Sequence, residues 1–188
     1  LFRIFVTSAL DQLTAAPGKR PVLFILDEFA SLQNLPSVLR AFGFAAGYRV
    51  QLWPFLQDLP QLKAIYPNTW ESFLANSGFV QFLTPNDMTT TEYIRRRAGM
   101  IRVATRSYSQ REISKDESAR GFQGITDSYS ERDDYILRDN EIMDWPGVAQ
   151  MTFFAGRHGV TPEGRYPYFQ HTRLVGYFDP DPFHPEPY

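Results

Sequence analysis

Five consecutive apolar residues, Val22-Leu23-Phe24-Ile25-Leu26, run directly into Asp27-Glu28. A block without polar alternation is what a parallel strand buried on both faces requires, and parallel strands need helical crossovers between them. The chain supplies those crossovers. Phe2, Val6, Ala9, Leu10 and Leu13 recur at three- and four-residue steps and predict a helix over 1–16, ended by Pro17-Gly18. Asn34 and Pro36 predict a second helix over 37–46, with Gly47 as its C-terminal cap. Residues 49–56 read as a strand, although Pro54 weakens it. Gln57-Asp58-Leu59 follows at once and opens a short helix through Ala64. A helix over 70–75, a strand over 79–83 and a helix over 88–98 continue the alternation, the last started by Asn86-Asp87 and closed by Gly99. The pattern predicts an α/β fold with a mostly parallel sheet and helices on both faces. Ligands of such sheets sit outside the carboxyl ends of the strands.

The character of the sequence changes at Thr105. Residues 105–134 are polar, charged and rich in Ser, and predict a long surface loop or partly disordered insertion. Order returns at Tyr135-Ile136-Leu137, with strands expected over 151–155 and 166–177. The aromatics Tyr166, Tyr168, Phe169 and Tyr177 are expected to pack a core. Residues 1–178 then form one domain, and 179–188 a Pro-rich extended tail. No apolar run approaches the roughly 20 residues of a membrane span. The chain opens Leu1-Phe2-Arg3 without Met and reads as a piece of a larger protein.

Composition excludes several functions. Nineteen Lys and Arg against 21 Asp and Glu leave a net charge of -2, unlike a free-standing basic nucleic-acid binder. The absence of Cys removes disulfides and Cys-ligated zinc. His158, His171 and His184 lack metal-ligand spacing.

The chemistry points to the strand end. An apolar strand closed by Asp-Glu is the Walker B pattern. Asp27 can anchor Mg²⁺, usually through water, and Glu28 can orient and polarise an attacking water. The same six residues also describe a buried strand followed by a solvated acidic turn. Gln57 tips the balance. It follows the next strand directly, so a parallel sheet brings it near Asp27-Glu28, where its amide can sense a terminal phosphate; taken alone it is a helix cap or a surface residue. No G-x-x-x-x-G-K-[ST] cradle occurs anywhere in the chain, so this segment by itself is expected to bind ATP weakly or not at all. Arg40 and Arg49 are candidate arginine fingers for a neighbouring subunit, and equally surface or packing residues. Arg95-Arg96-Arg97 offers a DNA contact, against the simpler reading of cations in the last turn of a helix.

The ordered run Pro21 to Ala30, Gly47-Tyr48, Gln57-Asp58-Leu59-Pro60-Gln61-Leu62 and Tyr66 resembles the conjugative coupling proteins of type IV secretion systems, the TraG/TraD group. Asn76, Asp87-Met88-Thr89-Thr90, Gly99, Glu141-Ile142 and Tyr166-Pro167-Tyr168-Phe169 follow the same order, so the resemblance covers nearly the whole chain. It implies the C-terminal half of a RecA-like P-loop NTPase core whose Walker A half and transmembrane helices lie N-terminal to this segment. The parent would be a hexameric ATPase at the cytoplasmic face of the bacterial inner membrane, using ATP and Mg²⁺. It would pump relaxase-bound DNA or effector proteins into a secretion channel, with no direct membrane contact from this segment. By position, Asp27 becomes the Mg²⁺-associated acid, Glu28 the water-polarising acid and Gln57 the phosphate sensor. Two departures stand out. Asp139 replaces a proline common in the family, and Ala45-Ala46 precede Gly47 where an arginine is common. The alternatives are a non-catalytic docking module for secretion or relaxosome proteins, and another RecA-like DNA translocase.

Overall fold

A computed structural model describes residues 1–15, 20–110, 125–168 and 171–179. Helix α1 covers Phe2–Ala15 and strand β1 Val22–Leu26; a 3-10 turn over Phe29–Leu32 leads to α2, Pro36–Phe44. Strand β2 is Val50–Pro54, followed by α3 (Leu59–Ile65), α4 (Trp70–Ala75), β3 (Phe79–Phe82) and α5 (Met88–Ala98). Then come β4 (Met100–Gln110), β5 (Ile125–Tyr135), α6 (Asp139–Met143), β6 (Ala149–Phe154) and β7 (Thr161–Gly164).

β1 and β2 pair in parallel, with Val22 opposite Val50 and Leu26 opposite Pro54. The ladder runs on past both strands. Phe55 N–H donates to the Leu26 carbonyl at 3.0 Å, and Phe29 N–H donates to the Phe55 carbonyl at 2.9 Å. Beneath this sheet lies the core, where Val6, Leu10, Leu26, Val38, Val50 and Leu62 are all buried. Phe29, Phe42, Tyr66 and Phe73 form an aromatic cluster within it, with Tyr66 and Phe73 centroids 4.7 Å apart. Burying such rings removes large apolar areas from water, and their tilted and edge contacts add further stabilisation.

Several expectations need correction. β1 is buried on one face only, since Leu23 and Ile25 remain 49% and 61% exposed. None of the described elements covers that face. The sheet is not mostly parallel either. β3, β6 and β7 form a separate antiparallel sheet in that order, beside the two-stranded parallel one. Gly47 does not cap α2, which stops at Phe44 and passes into a 3-10 turn over Ala45–Tyr48; the left-handed residue is Arg49, at φ 62°.

Part of the supposed insertion at 105–134 is a long antiparallel ribbon. Its register runs from Met100 opposite Tyr135 to Gln110 opposite Ile125. It escaped sequence reading because a two-stranded ribbon that covers no core has no apolar face to alternate. Cross-strand polar pairs serve instead. Arg102 reaches Glu131 and Asp133 at 3.7 and 3.5 Å, and the Ser107 and Ser128 hydroxyls lie 2.7 Å apart. At its base Arg138 and the Tyr135 amide hold the Asp134 carboxyl below its usual range. The strand expected over 166–177 is absent among the described residues. β7 ends at Gly164, and Tyr166, Tyr168 and Tyr177 are exposed rather than core-forming. Pro167, which has no N–H, interrupts any ladder there. Phe169, the helix end at Pro17-Gly18 and the tail beyond Asp179 lie outside the described residues.

Tyr66 ties the core to the backbone. Its hydroxyl accepts the Leu35 N–H at 2.9 Å and lies 3.4 Å from the Gln33 carbonyl. Tyr66→Phe leaves the Leu35 donor unpaired and is expected to cost about 1–3 kcal/mol in urea denaturation. Burial also raises the Tyr66 pKa above its ordinary 10.0. The unfolded chain therefore loses this proton first as pH rises. The contribution is fully present below pH 10 and is lost as pH climbs through the folded value, so the wild type alone should show this alkaline loss.

Candidate functional site

The carboxyl ends of β1 and β2 bring Asp27, Glu28 and Gln57 to one edge of the sheet. At the end of β1, Asp27 Oδ1 accepts the N–H of Glu28 at 3.0 Å. Glu28 adopts the left-handed conformation, φ 47° and ψ 52°, which is uncommon for a residue with a Cβ. The next residue explains how it is held. Phe29 is buried in the aromatic cluster, and its N–H is taken by Phe55 of the neighbouring strand. The chain must turn sharply between the ladder and this anchor, leaving both carboxylates in solvent.

Gln57 arrives from β2. Its Nε2 donates to Glu28 Oε2 at 3.4 Å, so the parallel pairing brings the two together. Three further contacts fix the loop that carries it. Gln57 N–H donates to Gln61 Oε1 at 3.3 Å, Gln61 N–H to Asp58 Oδ1 at 2.8 Å, and Leu59 N–H to the buried Thr90 Oγ1 at 3.1 Å. Thr90 is set in turn by the α5 cap, its N–H donating to Asp87 Oδ1 at 2.8 Å. These supports were not anticipated as site residues. The Asp58-x-x-Gln61 and Asp87-x-x-Thr90 spacings are the signals that reveal them, since an Asp at a helix start accepts the N–H three residues on.

The donor set fits a hydrated cation. The exposed Asp27 carboxylate is a single oxygen donor of the kind a hard cation accepts alongside water. That is the habit of Mg²⁺ at nucleotide sites.

The arginines lie elsewhere. Arg49 sits at the amino end of β2, where its carbonyl accepts the Val22 N–H, and is therefore at the opposite end of the sheet from Glu28. Arg40 is an exposed residue of α2. Arg95 pairs with Asp139 at 2.9 Å and stacks on the Tyr135 ring at 4.6 Å, locking α5 to α6 and the ribbon base. Arg96 pairs with Glu92 on its own helix. Arg97 donates to the Tyr93 hydroxyl at 2.7 Å and covers the Phe153 ring at 5.0 Å.

Solved structures share the fold. The chain superposes on the conjugative coupling protein TrwB, unbound, with a TM-score of 0.65 at 19% identity, over 85% of this chain and 35% of that one. A TrwB complex with ADP and Mg²⁺ gives 0.61 at 18% identity, over 85% and 34%. The chain thus shares the fold of part of that coupling protein, with a two-stranded parallel sheet beside antiparallel ones in place of a mostly parallel sheet. Sequence supplies the family. Residues 21–147 match the profile described as the TraM recognition site of TraD and TraG. Protein VirD4 of Agrobacterium fabrum is 32% identical over 113 residues, 58% of this chain and 17% of the relative. Conjugal transfer protein TraG of Escherichia coli is 28% identical over 131 residues, 69% of this chain and 20% of the relative. The chain belongs to the TraG/VirD4 family of type IV secretion coupling proteins and corresponds to their C-terminal region. It spans about a fifth or less of the length of these curated relatives.

Three substitutions test this geometry. Glu28→Gly removes the Cβ from a left-handed position and is expected to leave stability unchanged or raise it by up to about 1 kcal/mol; thermal and urea melts measure it. Arg95→Ala removes the Asp139 pair and the Tyr135 stack and is expected to cost about 1–2 kcal/mol. Arg96→Ala, on an exposed pair, should stay within about 0.5 kcal/mol of wild type in the same melts.

Proposed function

We propose that this chain is the acidic half of the nucleotide site in an ATP-driven coupling protein, one that recruits DNA–relaxase complexes or effector proteins and drives them into a type IV secretion channel. The observation that carries the reading is the hydrogen bond between Gln57 Nε2 and Glu28 Oε2 across the ends of two parallel strands. In it, an acid and a neutral amide share one exposed site, on loops anchored by buried neighbours.

Asp27 would hold the Mg²⁺ that accompanies ATP, through water, and that ion supplies neutralisation of phosphate charge. Glu28 orients and polarises the attacking water with the carboxylate that Gln57 now touches. Gln57 offers an amide donor that can turn from Glu28 to a terminal phosphate oxygen, which makes the pair responsive to nucleotide. The phosphate cradle comes from another part of the protein. Arg40 and Arg49 stand as finger candidates toward a neighbouring subunit of a hexamer, and the exposed Arg96 as the member of its triplet most open to DNA. TrwB has been solved with ADP and Mg²⁺, and with ATP and GTP analogues, which supports this choice of ligand. The profile's description supports a relaxosome protein as one partner. No helix among the described residues is long and apolar enough to cross a membrane, so inner-membrane anchoring would come from elsewhere in the protein.

In the full-length protein, Glu28→Gln is expected to keep ATP binding and lower turnover at least about 100-fold. Steady-state phosphate release and nucleotide titration measure the two separately, and unchanged turnover would sink the assignment.

A further inference from the structure

Three threonines are buried among the described residues: Thr90, Thr91 and Thr152. Two of them bond close to home. Thr91 Oγ1 donates to the Asp87 carbonyl at 2.8 Å, one turn back at the start of α5. Thr152 Oγ1 donates to Glu163 Oε2 at 2.6 Å, on the strand paired with its own. Thr90 differs. Its Oγ1 accepts an N–H from a separate helix, that of Leu59, the first residue of α3. A buried hydroxyl costs free energy unless it is paired, so the partner it is given shows what it serves.

The start of α3 shows what this bond supplies. The first amides of a helix have no partner within it. Here Gln61 N–H goes to the Asp58 carboxylate, Pro60 has no N–H, and Leu59 N–H relies on Thr90. Gln57 is therefore pinned from both sides. Phe55 is held in the ladder by Leu26 and Phe29, and Leu59 is held by Thr90, with one residue between Gln57 and each fixed point. A span this short has no slack, because a residue reaches only about 3.5 Å. The first pin comes from the ladder that also sets Glu28. The second comes from α5, through a threonine whose own N–H is taken by Asp87 at 2.8 Å. The Gln57–Glu28 hydrogen bond is 3.4 Å, longer than most, so a shift of a fraction of an ångström at Leu59 makes or breaks it.

We infer that Thr90 is a positioning residue for turnover: its buried hydroxyl oxygen, held by the α5 cap, fixes the Leu59 amide and thereby sets the reach of the Gln57 side chain at the site. The inference rests on the reading of Gln57 as the phosphate sensor. Thr90 touches neither nucleotide nor Glu28 and acts only through the loop it holds. Its loss should therefore slow the chemical step more than it weakens nucleotide binding, since a reacting arrangement is more sensitive to small misplacement than affinity is.

Steady-state ATP hydrolysis and nucleotide titration of the full-length protein test it. Thr90→Val keeps the side-chain shape but sets a methyl group where Leu59 N–H needs an oxygen. It is expected to lower kcat about 10- to 100-fold while the nucleotide Kd stays close to that of the wild type. Thr90→Ser keeps the oxygen and should restore turnover. Thr91→Val makes the same change one residue on, at a buried hydroxyl bonded only to the start of its own helix, and should turn over like the wild type. In a Gln57→Ala background, Thr90→Val should add nothing to the loss already present, because the two residues act as one unit. If Thr90→Val does not fold, Thr90→Ala removes the same oxygen and takes its place in each comparison. Four results would overturn the inference: unchanged turnover in Thr90→Val, a loss that serine does not restore, an equal loss in Thr91→Val, or losses that multiply with Gln57→Ala. Glu28→Gln separates the two readings. Turnover kept in that variant removes the nucleotide site itself, whereas turnover lost there but kept in Thr90→Val removes the positioning role alone.

Discussion

The parallel ladder between β1 and β2 carries the rest. Its last bonds, Phe55 N–H to Leu26 and Phe29 N–H to Phe55, lie beyond the regular strands and clamp both sides of the Asp27-Glu28 turn. Phe29 then commits the chain to the aromatic cluster with Tyr66 and Phe73. Glu28 is left between two fixed points and takes a left-handed conformation. The strain is tolerated because burial of one large ring and continuation of the ladder outweigh about 1–2 kcal/mol of backbone cost.

Around that clamp the support is polar and local. Asp58 and Asp87 each start a helix and order the groups that hold Gln57 and Leu59. Through Thr90, the start of α5 touches the site loop, while at its far end Arg95 grips Asp139 and Tyr135. One helix of about three turns thus spans from the site to the ribbon base. Asp139 shows how a local departure is accommodated. A carboxylate at the first turn of α6 suits the helix dipole and gives Arg95 its partner.

Much of this was legible in the residues. The helices over 70–75 and 88–98 fall where periodicity and capping predict, and the apolar block at 22–26 is a strand paired in parallel with the strand that precedes Gln57. The nearness of Gln57 to Glu28 follows from two facts readable in sequence, namely that both apolar runs give way to polar residues, at Asp27 and at Gln57, and that the crossover between them is helical. What could not be read depends on neighbours. Residues 100–110 and 125–135 carry polar side chains on both sides, so no alternation betrays the ribbon. Tyr166, Tyr168 and Tyr177 look like core residues, yet all three remain more than half exposed.

By itself the sequence determined the local chemistry: an acidic strand end, an amide after the next strand, helix caps at Asp58 and Asp87, and no phosphate cradle. These are properties of short segments, set by residue type and spacing. The tertiary structure decided how the pieces divide. It separated β3, β6 and β7 from the parallel pair, left Leu23 and Ile25 exposed, and opened a groove lined by residues of β2 and β3. Strand order and face burial depend on which distant segments meet, and an apolar run of five residues carries the same signature whether one face or both will be covered.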